Sequence, residues 1–460
     1  MSFSDQSIQR AKKCVKQKKY SQALALYHHV LETNPQDKFA LKQYNKLCDL
    51  EEKELKTLHS LFEQGKFEDA YKKCHITLQK FPESPRLLNF KGGLANRLGL
   101  LQEAVSAYKK TLDIIGYDTN VLINLGIAYR YVQEIKKSTS CFDAILAKEP
   151  NHHDAAYSLG FTYLLNGEYE KGWKYYESRW NATFSTSAPR NFKQPMWDGN
   201  SLEGKRLLVH CEQGYGDTFQ FIRFLPLLKK YNGLIIFETP KALEPLMFNF
   251  DVIDELVIRG DDKPDFDVHI PLLSIPYVLN LGLSSISSHT PYIKGDGIPF
   301  DGLRLSPEKL NVGFVWTGSE TFRHNHFRSM VFNEVKPLLD SENCKFHSLQ
   351  VCENQESIAD LLRQNQIQDL GTQFKNFLDT VRAIDQLDLI VTTDTAVAHL
   401  AGAMGKKTWI LLHYTADFRW LLNREDSPWY PTARLYRQKE LGNWKDVLNK
   451  VLKDLQQSNV

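Results

Sequence analysis

The 460-residue sequence has no excess of charge of either sign and no ordered set of cysteines. The 57 basic residues are balanced by 55 acidic ones, which gives the chain no general affinity for nucleic acid. The seven cysteines are odd in number and scattered, without a C-x-x-C pair. That pattern argues against a disulfide framework and against a zinc site, and it suits a reducing compartment.

Long apolar runs are also missing. No run approaches the roughly 18 apolar residues needed to span a bilayer, and the first ten residues, MSFSDQSIQR, lack the apolar core of a signal peptide. We therefore expect a soluble, cytoplasmic protein without a transmembrane segment.

The first 180 residues contain an internal repeat of 34 residues. Small, aromatic and proline residues recur at this step or at the ends of the repeated units: Gly92, Gly126 and Gly160; Tyr108, Phe142 and Tyr176; Pro35, Pro82 and Pro150. Small residues let two helices cross, aromatics fill the groove between them, and proline stops the second helix. The pattern resembles the tetratricopeptide repeat (TPR).

The repeats predict a curved α-solenoid whose concave face can hold an extended segment of a partner. We count five units, 4–37, 51–84, 85–118, 119–152 and 153–180, with an extra helix near 38–50. The alternative is that the array only packs on the rest of the chain as a scaffold.

The length predicts about three domains. We expect the TPR solenoid at 1–180, a linker rich in Ser, Pro and Asn at 181–200, two Rossmann-like α/β domains at 201–303 and 304–440, and a final helix at 441–460. The first α/β domain is short for a Rossmann half, so the solenoid is expected to replace some of its helices.

In the first α/β domain, the strand 206–210 runs into a loop, C-E-Q-G-Y-G-D, and a predicted helix at 218–231. Gly214 and Gly216 let the backbone turn tightly and approach a ligand. Asp217 then stands at the carboxyl end of the strand, where it is a candidate general base or a simple cap of the following helix. The later pair Asp265 and Asp267 leads directly into a strand pattern, which disfavours metal binding.

The second α/β domain opens with the predicted strand 311–316, followed by the turn Thr317-Gly318-Ser319, which is able to present N–H groups to an anion. Arg323 and Arg328 follow in a short loop, where guanidinium forks match the oxygens of a diphosphate. A solvated basic loop is the alternative. His324 and His326 could hold a metal, but no carboxylate or cysteine lies near them.

The segment 388–414, DLIVTTDTAVAHLAGAMGKKTWILLHY, reads as strand, turn, helix and strand. Asp394 or Thr395 is a suitable N-cap of the helix 395–404. Thr395 and His399 are four residues apart, so they share a helix face near its N-terminus. A helix N-terminus at the carboxyl edge of a parallel sheet favours an anion, and we interpret this turn as a diphosphate cradle.

Together, the GYGDT turn, NVGFVWTGS, the arginine of FRSM and DTAVAHLAGAMG resemble the heptosyltransferase-like GT-B glycosyltransferases, glycosyltransferase family nine. The chain is similar to the bacterial branch that fuses TPR repeats to such an enzyme, and its architecture is also similar to that of O-GlcNAc transferase. The resemblance implies a sugar transfer from a nucleotide-diphosphate donor, without a metal or another cofactor.

The same resemblance implies the roles of individual residues. Asp217 would be the catalytic base, and the diphosphate would be bound by Arg328, Asp394, Thr395, His399, Thr317 and Gly318. Further contacts to the donor or acceptor would come from Gly214, Gly216, Gln213, Arg323 and Trp316.

The expected function is a glycosyltransferase whose repeat array presents the acceptor, a protein or peptide. One alternative is transfer to a glycan or a lipopolysaccharide core, with the repeats recruiting other proteins. The other is a non-catalytic TPR scaffold with a degenerate transferase domain.

Overall fold

The computed structural model describes residues 3–248, 250–286, 290–320, 325–351, 355–365 and 367–457. By compactness the chain divides into two units, Met1–Ser158 and Leu159–Val460. The division falls within one helix, His153–Leu165. The boundaries expected at 180, 200, 303 and 440 stay predictions.

The described part of the first unit is helical. Its helices are α1 (Phe3–Lys16), α2 (Tyr20–Thr33), α3 (Lys38–Glu63), α4 (Phe67–Lys80), α5 (Pro85–Arg97), α6 (Leu101–Ile115), α7 (Thr119–Tyr131), α8 (Ile135–Lys148) and the start of α9 (His153–Leu165). Side-chain caps begin several of them. Asp37, Ser84 and Asp118 each accept a hydrogen bond from the backbone N–H three residues later.

The repeated glycines of this unit lie where helices cross. A Cβ on Gly92 would lie 2.5 Å from the Tyr108 ring, and one on Gly126 would lie 2.6 Å from the Phe142 ring. Both distances are too short for any side chain, so the predicted pairing of small and aromatic residues is confirmed. The separate extra helix predicted at 38–50 is wrong, because Lys38–Glu63 contains no glycine or proline and folds as one helix.

The second unit contains a four-stranded parallel sheet among its described residues. Its strands are β1 (Arg206–His210), β2 (Leu234–Thr239), β3 (Glu255–Ile258) and β4 (Val268–Pro271), in the order β3-β2-β1-β4. The helices around it are α10 (Tyr169–Tyr176), α11 (Tyr215–Phe221), α12 (Glu244–Met247) and α13 (Ile275–Val278). The helix predicted at 218–231 is wrong in its bounds. The α-helix begins at Tyr215, and from Ile222 to Tyr231 the chain, which includes Pro226, is a 3₁₀-helix.

A six-stranded parallel sheet follows in the described residues. Its strands are β5 (Leu310–Val315), β6 (Cys344–Ser348), β7 (Gln368–Asp369), β8 (Leu389–Thr393), β9 (Thr408–Leu412) and β10 (Ala433–Arg437), in the order β10-β9-β8-β5-β6-β7. Its helices are α14 (Asn325–Arg328), α15 (Phe332–Leu339), α16 (Gln355–Gln364), α17 (Phe377–Gln386), α18 (Ala396–Ala403) and α19 (Trp444–Gln457).

The topology of both sheets marks where a ligand can bind. In the six-stranded sheet the chain moves outward from β5 to β7 and then returns to β8, so the strand order reverses between β5 and β8. In the four-stranded sheet the reversal lies between β1 and β4. Open parallel sheets bind ligands at the carboxyl ends of the strands at such reversals.

The end of the repeat region is part of the core of the second unit. The ring of Trp173 on α10 lies 5.8 Å from that of Phe221 and 5.9 Å from that of Phe418. The Tyr169 hydroxyl accepts a 3.0 Å hydrogen bond from Trp429 Nε1. Helix α10 therefore packs directly against residues of both α/β halves.

The segment after α10 is fixed by a buried ion pair. The fully buried Arg179 guanidinium donates two hydrogen bonds of 2.9 Å to Glu212 and one of 2.7 Å to Ser274 Oγ. Glu212 follows β1 and Ser274 follows β4, so this fork joins the repeat region to the carboxyl edge of the first sheet.

The observed architecture is a TPR-like helical region followed by two parallel α/β sheets of the GT-B type, which confirms the predicted fold class. Among the residues that the structure describes, we find no helix that is both long and apolar enough to cross a bilayer.

Candidate active site

The turn between β8 and α18 leaves the helix N-terminus without a side-chain cap. Thr395 occupies the N-cap position in an extended conformation, and no side chain there accepts from the first turn. The Thr395 hydroxyl instead bonds to the Thr392 hydroxyl at 3.0 Å. A helix N-terminus without a side-chain cap attracts an anion through its first-turn N–H groups and the helix dipole, so this end of α18 can receive a phosphate group.

His399 lies one turn further along α18. Its Nδ1 is 2.9 Å from the Tyr430 hydroxyl, its ring stacks on Trp420 at 5.1 Å, and its Nε2 is 3.9 Å from Asp394 Oδ1. Burial, together with the nearby arginines, lowers the pKa of the imidazole well below its ordinary value. His399 is therefore neutral at physiological pH and can donate or accept a hydrogen bond.

Asp394 and Arg328 meet at the start of this turn. Arg328 Nη1 donates to the backbone oxygen of Asp394 at 2.9 Å, and its Nε donates to Asn325 Oδ1 at 3.1 Å. Burial and the neighbouring Asp417 raise the pKa of the Asp394 carboxyl to about 6, against the opposite effect of Arg328. The structure thus brings together three of the predicted diphosphate ligands, Arg328, Asp394 and His399.

The turn after β5 lies against the Arg328 side chain. The N–H groups of Trp316 and Thr317 donate to Gln350 Oε1 at 3.3 and 3.2 Å, and that of Gly318 donates to Ser329 Oγ at 3.3 Å. These donors are used within the protein, which differs from the expectation that the turn presents them to an anion. A Cβ on Gly318 would lie 2.6 Å from Arg328 Nη2, so glycine is required for this contact.

Trp316 is also placed differently from the expectation of a ligand contact. Its side chain is buried in the core of the second sheet, where it stacks on Phe314 and meets Phe332 edge to face.

Asp217 caps α11, one of the two roles that the sequence left open, and it also contacts the loop after β9. Its Oδ2 accepts a 2.9 Å hydrogen bond from Gly214 N and so caps α11, while its Oδ1 accepts from Arg419 Nη2 in the loop after β9 of the second sheet. The side chain keeps 18% of its surface exposed. Burial raises the pKa of the carboxyl above its ordinary value, and Arg419 acts against that rise.

Gly216 brings the two α/β halves into contact. A Cβ at this position would lie 2.8 Å from His399 Cδ2, so α11 and α18 approach each other directly, and glycine serves helix packing. Gln213, another expected ligand contact, donates to the Tyr176 hydroxyl at 3.1 Å and to Ser187 Oγ at 2.9 Å. It thus belongs to the junction with α10.

Sequence reasoning missed Arg419. Its guanidinium donates to Gln220 Oε1 at 2.6 Å and to Asp417 Oδ1 at 2.7 Å, as well as to Asp217. Asp417 and Arg419 lie in a loop after β9 from which the sequence predicted no site residue. A charged D-x-R pair in the loop that follows a buried strand is the signal that could have drawn attention to it.

Arg323, an expected ligand contact, and His324, considered as a metal ligand and disfavoured, lie outside the described residues. Within the described residues, no group of three or more His, Cys, Asp and Glu side chains is arranged to hold a metal ion. Asp267 of the D-x-D pair accepts a 2.7 Å hydrogen bond from Arg206 N, which is a structural role at the start of β1.

Comparison with known families identifies the repeats. Residues 52–174 match the family model described as "Psidin, N-terminal TPR repeats region". Residues 52–174 are thus similar to tetratricopeptide repeats. Among solved structures, that of the TPR protein YrrB, described as having an unusual peptide-binding site, is 18% identical over 38% of this chain and 84% of its own, with a TM-score of 0.25.

Two further relatives extend over the α/β region. Protein FlbA of Caulobacter vibrioides is 24% identical over 426 residues, which cover 85% of this chain and 70% of FlbA. The crystal structure of a family 9 glycosyl transferase from Veillonella parvula covers 57% of this chain and all of its own, at 13% identity and a TM-score of 0.41. The chain is thus similar to a TPR array and to a glycosyltransferase.

Proposed function

We propose that the protein is a glycosyltransferase that moves a sugar from a nucleotide-diphosphate donor to an acceptor, without a metal. The observation that carries the proposal is the close approach of two turns at the strand-order reversals. Gly216, next to Asp217, lies against His399 of α18, and Arg328 donates to the backbone oxygen of Asp394 at the start of that helix. This arrangement sets a carboxylate opposite an uncapped helix N-terminus.

The chemistry follows from these positions. Cleavage of the anomeric bond builds negative charge on the leaving diphosphate, which the N-terminus of α18 and the Arg328 guanidinium can stabilise without a cation. Asp217 would accept the proton of the acceptor hydroxyl as that oxygen attacks the anomeric carbon. Neutral His399 would donate a hydrogen bond to a diphosphate oxygen or hold Asp394 in place.

The acceptor is proposed to be a protein or peptide held by the TPR array, since such arrays offer an extended concave surface. An anionic glycan is the second candidate, and one feature of the first sheet favours it. Glu238, fully buried at the end of β2, is surrounded by Arg190 Nη2 at 3.0 Å, Lys263 Nζ at 3.2 Å and Arg259 Nε at 3.8 Å. The three cations carry more positive charge than the Glu238 carboxylate neutralises, so they could attract an acid group of an acceptor.

The donor site is tested by thermal shift with UDP, GDP, ADP, CDP and their common sugar conjugates, without metal. A ligand that binds the native state raises the melting temperature in proportion to its concentration over its Kd. Arg328→Gln should raise the ligand concentration needed for the same shift by about tenfold. Arg363→Gln, which removes an exposed arginine paired with Asp360 on α16, should leave it unchanged. No shift with any ligand, with or without magnesium or manganese, would favour the non-catalytic TPR scaffold.

The choice between acceptors is tested with the donor that binds. Sugar transfer to protein would label polypeptide, whereas transfer to an anionic glycan should weaken when Lys263 is changed to Gln. Labelled polypeptide together with full activity of Lys263→Gln would remove the glycan candidate.

A further inference from the structure

Three consecutive side chains reach three different parts of the second unit. They belong to the 3₁₀ turn Phe418–Trp420, which follows β9. Phe418 packs on the last helices of the repeat region, Arg419 pairs with Asp217 on α11, and Trp420 stacks on His399 of α18. One short turn therefore touches both halves of the candidate site and the helices beside them.

The Arg419 guanidinium donates a hydrogen bond to the Asp217 carboxylate and is itself held by other partners. It is 8% exposed, and its three nitrogens donate to Gln220, Asp417 and Asp217. Asp417 Oδ1 also accepts from Arg419 N at 3.1 Å, which fixes the start of the turn. Because a guanidinium is planar and its donors point in set directions, the orientation of Asp217 depends on where Arg419 is held.

Phe418, the residue before Arg419, is held in place by a cluster of aromatic side chains. Its ring, 2% exposed, lies 5.7 Å from that of Phe161, 5.9 Å from that of Trp173 and 6.1 Å from that of Tyr176. Closely packed aromatic clusters transmit displacements because they cannot be compressed. A movement of the helix pair formed by α10 and the end of α9 therefore moves the residue next to Arg419.

We infer that the turn 417–420 is a positioning element in which Arg419 holds Asp217 ionised and directed into the site, while Phe418 ties Arg419 to the last helix pair of the repeats. The inference rests on the proposed function in that it takes Asp217 to be the base. It implies that a partner bound to this helix pair alters turnover through the base, in addition to supplying an acceptor.

The charged and titratable side chains near Asp217 belong to three neighbouring elements. Arg419 and Asp417 lie on the turn after β9, Arg328 lies on α14, and neutral His399 lies on α18. Arg419 opposes the effect of burial on the pKa of Asp217. Without it, the carboxyl would stay protonated to a higher pH, and a protonated carboxyl cannot act as a base.

The first test is the pH–rate profile of donor turnover in three variants. Arg419→Gln should move the acidic limb of the profile upward by about one pH unit or more and lower the maximal rate by about tenfold or more. Arg419→Lys keeps the positive charge but loses the planar set of donors. The acidic limb of its pH–rate profile should therefore stay close to that of the wild type, while its maximal rate falls. Arg424→Gln removes the next arginine along the loop, whose side chain pairs with the exposed Asp426, and should change neither quantity. An unmoved limb in Arg419→Gln would overturn the inference.

The second test does not require turnover. Hydrogen exchange of the peptide 211–221 reports the Gly214 N–H that Asp217 accepts. Both Arg419→Gln and Phe418→Leu should increase exchange in this peptide by about tenfold, and Arg424→Gln should not. If the wild type binds no nucleotide sugar while this pattern appears, the proposed function fails and the coupling of Phe418 to Asp217 stands. Unchanged exchange in Phe418→Leu would remove the coupling to the repeats.

Discussion

The two α/β halves contain the same local structure, a buried strand followed by a turn and a helix, but they use it in opposite ways. In the first half, the Asp217 carboxylate caps α11 by accepting from Gly214 N. In the second half, Thr395 provides no cap to α18. The N-terminal charge of α11 is thus already neutralised within the protein, whereas that of α18 can attract an external anion.

The carboxylates at the two turns also have different partners. Asp217 pairs with Arg419. Asp394 receives Arg328 on its backbone oxygen, while its carboxyl lies 3.9 Å from a neutral imidazole. Burial raises the pKa of both carboxyls: that of Asp217 rises against the effect of its ion pair with Arg419, and that of Asp394 rises to about 6. A motif thus predicts where a site lies, while its neighbours decide what the site does.

The largest expected effect comes from removing the proposed base, Asp217. Asp217→Asn should lower turnover by about 100-fold or more with nearly unchanged donor affinity, because the proposed donor site lies in the second half. The matched control is Asp267→Asn, which also removes a carboxylate that accepts a backbone N–H in the first sheet but lies at the opposite end of β1. Steady-state kinetics and donor titration measure both variants. Full activity of Asp217→Asn would mean that this carboxylate only caps α11.

A smaller effect, on the free energy of unfolding, should distinguish Asp394 of the second turn from Asp217 of the first. The pKa of Asp394 in the folded protein, about 6, exceeds the roughly 3.9 of an unfolded aspartate. The folded state therefore binds more protons between these values, and its stability falls as the pH rises through about 6. Asp394→Asn removes the buried charge and should stabilise the protein at pH 7 by about 1–3 kcal/mol, with the gain vanishing near pH 4.

Thermal melts of the wild type and Asp394→Asn between pH 4.5 and 7.5 measure this difference. Asp217→Asn serves as the contrast, since it leaves Arg419 without one of its partners and should lower the melting temperature. If Asp394→Asn is the less stable variant at pH 7, its carboxylate is stabilised by contacts that outweigh its burial.

Much of this arrangement could be predicted from the sequence, because local patterns encode it. The strands β1, β5, β8 and β9 are buried on both faces, and such strands appear as continuous apolar runs. The repeats are recognisable because the 34-residue spacing of glycine and aromatic residues reflects a contact that recurs. The β8–α18 turn follows from an N-cap residue and two side chains spaced four apart.

The rest depends on contacts that no local pattern records. Arg419 meets Asp217 and Gln220 across about 200 residues of chain. The two-residue strand β7 is too short to show alternation. Whether the N–H groups of the turn after β5 face a ligand depends on Gln350 and Ser329, which accept from them after folding. These details decide the chemistry, and they are set by tertiary structure.

The smallest expected effect is a proton taken up when the donor binds. A diphosphate at the N-terminus of α18 adds negative charge beside Asp394, which raises the pKa of its carboxyl further above 6. Binding at pH 7 should then take up about half a proton, and the affinity should fall a few-fold between pH 6 and pH 8. A nucleotide sugar is the suitable ligand, since both of its phosphates are esterified and stay ionised over this range. Calorimetry in two buffers of different protonation enthalpy measures the uptake. Asp394→Asn should abolish it, whereas uptake that persists in this variant would assign the proton to another group and leave Asp394 ionised beside the bound diphosphate.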